Sequence, residues 1–102
     1  MNNNEFYQLS EQLMTDLESI LDAYMDKNDV DIDYETHGNV LTISFENNSK
    51  IILNTQEPLH QIWLATRKQG YHFDYVDGQW VCTRSGATLM NILNAALDDQ
   101  SR

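Results

Sequence analysis

The chain is predicted to be an α+β protein, a two-layer α-β sandwich with two terminal helices packed on one face of an antiparallel sheet of about six strands. Three observations predict this. Apolar residues recur at spacings of three and four near both ends, and they alternate with period two through the middle. Turn-forming Gly, Asn and Asp residues separate the alternating runs. The 102 residues, 41% of them hydrophobic, suit a single domain over 1–102 built around one core.

Residues 5–25 read as an amphipathic helix, because Phe6, Leu9, Leu13, Leu17, Ile20, Leu21 and Tyr24 form one apolar stripe. Asn2 to Asn4 offer N-cap side chains ahead of it, and Asn28 helps end it. Val30 to Glu35 then alternates strictly, giving a half-buried strand with Val30, Ile32 and Tyr34 inward. After a turn at His37-Gly38-Asn39, Leu41, Ile43 and Phe45 mark a second strand. Asn47-Asn48 is the next turn, and Lys50 to Thr55 is a third strand with Ile51 and Leu53 on one face. Gln61 to Ala65 sets Ile62 and Leu64 against Gln61 and Trp63. Tyr71 to Tyr75, the hairpin turn Asp77-Gly78 and Trp80 to Thr83 complete the sheet. Ser85-Gly86 is expected to open the closing helix, which carries Leu89, Leu93, Ala96 and Leu97 on one face. One sheet face is left open to solvent and should carry Ile52, Asn54, Gln61 and Trp63.

The net charge of −10 attracts cations and basic protein surfaces and repels nucleic acid and anionic membranes. Residues 1–35 hold ten acids and one base, Lys27, whereas residues 36–102 hold six acids and five bases. No apolar run approaches the roughly 20 residues of a membrane span. Met1 to Glu5 lacks the basic start and apolar run of a secretory signal, and Cys82 has no partner for an internal disulfide, so a cytoplasmic location is expected.

Glu11, Glu18, Asp22 and Asp26 fall close to one helical stripe, while Asp29, Asp31, Asp33 and Glu35 should project from the outward face of the first strand. Like charges at i,i+4 cost a helix roughly 0.2–0.5 kcal/mol per pair. Acids near its C-terminus oppose the macrodipole by roughly 0.3–1 kcal/mol each. Glu18, Asp22 and Asp26 incur both costs, and such departures from local rules mark functional sites. Carboxylates are hard oxygen ligands for ions such as Fe²⁺, Fe³⁺, Mn²⁺ and Ca²⁺, and with no cysteine or paired histidine to add selectivity the sites should be weak, multiple and exposed. An acidic helix face is also commonly just a solvated surface. The Asp29-Val30-Asp31-Ile32-Asp33 run is not an EF-hand loop, because Tyr34 stands where glycine is needed and Val40 where glutamate is needed.

His37, His60 and His72 are not spaced for zinc and read as surface or turn residues, and Cys82 reads as a buried, inert thiol. There is no P-loop, dinucleotide fingerprint or supported Ser-His-Asp arrangement. Trp63, an aromatic residue on a flat polar face, is a candidate binding anchor with Asn54, Gln56 and Gln61 as polar neighbours.

The run from Asn54 through Pro58, Leu59, His60 and Trp63 to Ala65 resembles the signature segment of the frataxin family. Gly70 to Asp74, Trp80-Val81-Cys82 and Ser85-Gly86 fit as well, so the likeness extends from about Glu5 to about Ala96. Its bacterial branch, called CyaY, matches best. Two departures are Ser19 and Ala23, which stand where relatives often carry acids. The resemblance implies the frataxin fold, with iron bound by acids of the first helix and first strand. It also implies contact with the cysteine desulfurase IscS and the scaffold protein IscU, through the Trp63 face and the acids Glu18 and Asp22. On this reading the chain is a binding and regulatory protein of iron–sulfur cluster assembly and not an enzyme, and a monomer without excess iron. Ferroxidase-like oxidation of Fe²⁺ and iron storage by oligomerisation are the alternatives.

Overall fold

A computed structural model describes all 102 residues. Helix α1 (Asn3–Asn28) begins where the Asn2 side chain accepts the Glu5 backbone N–H at 2.8 Å. It ends where Asn28 Nδ2 donates to the Tyr24 carbonyl at 3.0 Å and Asp29 turns left-handed at φ 51°. Its 26 residues make a rod of about 39 Å, the full 39 Å length of the molecule. The expected stripe is the buried one, with Phe6, Leu13, Leu17 and Leu21 at 3% exposure or less.

Six strands follow: β1 (Ile32–His37), β2 (Val40–Phe45), β3 (Lys50–Gln56), β4 (Gln61–Ala65), β5 (Gly70–Val76) and β6 (Gln79–Cys82). Each pairs antiparallel with its sequence neighbour, so the sheet is a meander in the order β1 to β6. Short connections favour this order, because a tight turn can only return the chain beside the strand it has left. At the β5–β6 hairpin both Asp77 (φ 50°) and Gly78 (φ 82°) are left-handed, the geometry whose twist matches the flanking strands. Between β3 and β4, a single 3-10 turn at Glu57–Leu59 contains Pro58 and was not foreseen from the sequence.

Helix α2 (Leu89–Gln100) closes the chain. The expected start at Ser85-Gly86 is corrected. Gly86 is left-handed at φ 74° and its N–H is held by the Cys82 carbonyl, while Thr88 forms a bridge with Val81. The chain therefore doubles back along β6 before the helix begins, and Thr88 is the N-cap, accepting the Asn91 N–H at 3.2 Å. The first strand is also displaced from its expected Val30–Glu35 span. Asp29 caps the helix and Asp31 lies in the connector, so pairing starts at Ile32 opposite Phe45.

One core of 18 buried residues lies between the sheet and the two helices. Alternate strand residues (Ile43, Ile51, Leu53, Ile62, Leu64, Phe73) meet Leu17 and Leu21 of α1 and Leu93 and Leu97 of α2. Gln100, 1% exposed, is the one long polar side chain buried with them. Its amide donates to Ser49 Oγ (3.0 Å) and the Lys50 carbonyl (3.1 Å) and accepts the Arg67 N–H (3.1 Å), tying α2 to two strand ends.

Beside it Asp99 pairs with Arg67 (Nε to Oδ2, 3.0 Å) and Lys68 (3.4 Å). The Arg67 hydrogen bond is the main reason the Asp99 carboxyl lies below the usual range; burial opposes it, and the Lys68 hydrogen bond and the two cationic charges add to the lowering. A depressed folded pKa adds stability above the unfolded value and loses it as the pH falls through the folded one. Asp99→Asn is therefore expected to lower the melting temperature at pH 7 and to melt with the parent once the pH is below that carboxyl's range. Thermal unfolding of both proteins at the two pH values checks this.

Candidate metal and partner surface

All eight acids singled out from the sequence are exposed: Glu11, Glu18, Asp22, Asp26, Asp29, Asp31, Asp33 and Glu35. The fold does not set them in one plane. Glu11, Glu18, Asp22 and Asp26 stand on α1, Asp29 and Asp31 on the connector, and Asp33 and Glu35 on β1. Ile32 is buried and Tyr34 half-buried against the core, so Asp33 and Glu35 point to the opposite, open side of the sheet. The acids thus wrap around the free β1 edge.

Their electrostatic surroundings are uniform in sign. The ion pairs of the molecule are His37–Glu35, Arg67–Asp99 and Lys68–Asp99, so seven of the eight acids have no cationic partner and the eighth has only a histidine. Lys27, in the last turn of α1, is not among these pairs. No three His, Cys, Asp or Glu side chains converge tightly enough to hold one ion between them. Such an arrangement offers cations several one- or two-carboxylate footholds, completed by water, and not one closed site.

One contact here was missed from the sequence. The Tyr34 hydroxyl donates to Asp22 Oδ1 at 2.9 Å and links β1 to α1 across the ridge. That hydrogen bond first, then burial and the negative charge of Asp22, with a last contribution from Glu18, hold the Tyr34 phenol above its ordinary pKa, so it stays a donor. Alternation from Val30 to Glu35 places Tyr34 inward, but the reach of its tip to the helix depends on how α1 packs beside β1.

The open sheet face carries the second candidate surface. Trp63 is half-buried, flanked by Asn54 on β3 and His72 on β5. Its indole Nε1–H donates to Gln61 Oε1 at 2.9 Å, and its ring lies against the His72 imidazole, centroids 4.2 Å apart and planes 7° apart. Gln61 Nε2 donates to Asp74 Oδ1 at 3.0 Å, and Gln56 Nε2 to Asn54 Oδ1 at 2.6 Å. Ile52, 38% exposed, lies on the same face. The four partner-contact residues expected on this face (Asn54, Gln56, Gln61, Trp63) therefore stand together, and His72 and Asp74 join them. Those two went unnoticed because strand register cannot be read from alternation alone.

Cys82 is buried, as expected. Burial raises its thiol pKa, but hydrogen bonds from Ser85 and Arg84 and the Arg84 charge outweigh that and leave it lowered. No helix is long and apolar enough to cross a membrane.

A terminal-helix pair on a six-stranded meander, with an acidic helix-to-strand edge, defines a frataxin-like domain, and the model of that domain matches residues 1–102. The chain belongs to the frataxin family, and within it to the CyaY type. It is similar to the frataxin of Psychromonas ingrahamii, a CyaY-family protein, with 44% identity and a TM-score of 0.87 over 99% of this chain and 92% of that one. It also resembles the trimeric frataxin of the yeast Saccharomyces cerevisiae described as complexed with ferrous iron. There the identity is 27% and the TM-score 0.77, over 89% and 83% of the two chains. A further yeast frataxin structure matches at 25% identity and TM-score 0.75, over 95% and 80%.

Proposed function

We propose that this chain binds iron at its acidic edge and serves iron–sulfur cluster assembly, as iron donor or iron-dependent regulator of a cysteine desulfurase (IscS) and scaffold (IscU) complex. The observation that carries the reading is the row of exposed carboxylates around β1, seven of them with no cationic partner. Uncompensated charge of this density has a stability cost and draws hard cations. It also steers a basic protein surface toward docking. Family membership and the ferrous complex of the yeast relative supply the identity of the ion. On this reading Trp63, Asn54, Gln56 and Gln61 complete the protein contact, with Glu18 and Asp22 at its edge.

The test is a calorimetric titration with the cognate cysteine desulfurase at low and high salt. Micromolar or tighter binding that weakens steeply as salt rises is the expected result, because contacts between exposed charges are screened beyond roughly 10 Å at 0.1 M salt. Absence of binding at low salt, with the protein folded, contradicts the proposal.

A second reading, iron storage by assembly, draws on the trimeric state of the yeast relative. Light scattering with excess ferrous iron separates the two. Growth beyond the monomer favours storage, and a persistent monomer excludes it.

A further inference from the structure

Trp63 sits at the head of a chain of contacts whose direction is fixed by chemistry. An indole can only donate a hydrogen bond and a carboxylate can only accept one. Gln61 lies between the two, so its amide has a single orientation, with oxygen toward Trp63 Nε1 (2.9 Å) and nitrogen toward Asp74 Oδ1 (3.0 Å). The parallel His72 ring at 4.2 Å fixes the indole plane, and the Gln61 bond fixes which indole edge faces along the strand. Both side-chain torsions of Trp63 are thereby determined before any partner arrives. His72 and Asp74 are themselves exposed, two residues apart on β5, and neither supports the core. The contacts are accounted for neither by burial nor by an ion pair.

We propose that Asp74 and His72 are positioning residues that hold Trp63 as a preformed docking anchor for a protein partner. The proposal rests on the reading of the open sheet face given above and deepens it. Pre-ordering matters because association must otherwise immobilise a large side chain and lose its rotamer freedom. The network also defines what the face offers. The indole N–H and one of the two Gln61 amide N–H groups are engaged internally. What remains for a partner is the apolar surface of Trp63 and Ile52, beside Asn54 Nδ2 and Gln56 Oε1, neither of which has a protein partner. That combination suits a peptide segment presenting an apolar side chain flanked by backbone amide groups.

The experiment uses the full chain with Asp74→Ala, Asp74→Asn, His72→Ala and Trp63→Ala, read by two measurements. The first is solvent exchange of the Trp63 indole N–H by NMR, with the buried Trp80 as internal reference. The second is affinity for the scaffold and desulfurase by calorimetry. D74A and H72A are expected to speed Trp63 indole exchange several-fold and to weaken binding roughly three- to tenfold. Their melting temperatures should stay near that of the parent. D74N, whose amide oxygen still accepts the Gln61 bond, is expected to restore both readouts. If W63A weakens binding while D74A and H72A behave as wild type in exchange and affinity, the positioning role is overturned alone. If W63A binds as the parent does, the docking role of this face falls as well.

Discussion

Replacing Glu18, Asp22 and Asp33 by lysine is expected to weaken iron binding at the acidic edge and to weaken desulfurase binding roughly tenfold or more, with most of the salt dependence lost. Three acids become three bases, so the net charge moves from −10 to −4. The three positions are chosen to act from both sides of the β1 edge, with Glu18 and Asp22 on the helix and Asp33 on the strand. The fold should survive, because all three side chains are exposed and none belongs to the core. Two stability effects oppose each other. Turning the like-charge pair Asp22–Asp26 into an opposite-charge one gains a few tenths of a kcal/mol, while positions 18 and 22 remain a like-charge pair, now of two lysines. Losing the Tyr34–Asp22 hydrogen bond costs about 1 kcal/mol. The melting temperature should therefore move little. A binding loss in a protein that still melts cooperatively is the signature expected. Unchanged iron and desulfurase affinity in this variant contradicts the functional reading.

Gln100→Ala is expected to be the most damaging single substitution outside the apolar core. The side chain is 1% exposed and holds the Arg67 N–H, the Lys50 carbonyl and Ser49 Oγ at once. Removing it leaves those groups without that partner and opens a void, and a buried polar group left unpaired costs about 1–3 kcal/mol. A total near 3 kcal/mol lowers the melting temperature of a domain this size by roughly 10–20 °C. Gln100→Leu fills most of the void yet leaves the same polar groups unpaired, so it should remain well below the parent. If Leu restores the parent's stability, packing and not hydrogen bonding is the role of Gln100. Thermal unfolding of the three proteins decides.

The sheet was legible because inward residues alternate within each strand from Ile32 to Cys82, and Asn and Gly mark most of the turns between them. The two helices were legible from their apolar stripes. Element ends were not. The left-handed Asp29 and Gly86 delay β1 and α2, and a positive φ at an aspartate leaves no mark in an apolar pattern. Gln100 reads as one more polar residue at a helix end, because its burial depends on the β2–β3 and β4–β5 turns meeting there. At the acidic edge, the sequence gives the composition but not the curvature. Alternation sends Asp33 and Glu35 to the open side while Glu18 and Asp22 stay on the helix side, and only the packed structure shows the acids bending around an edge strand. The partners of Trp63 were hidden for a related reason, since pairing Trp63 with His72 needs the register of β4 on β5.

The central claim is that iron binds the carboxylates around β1 and leaves the rest of this acidic molecule alone. Anaerobic titration of the wild-type protein with Fe²⁺, followed residue by residue by NMR, tests it most directly. The account predicts paramagnetic broadening confined to α1 from Glu11 onward, the connector at Asp29 and Asp31, and β1 through Glu35. The Trp63 face and the acids Asp74 and Asp77 should stay sharp. Equal broadening at all exposed carboxylates, or none at the β1 edge, would contradict it.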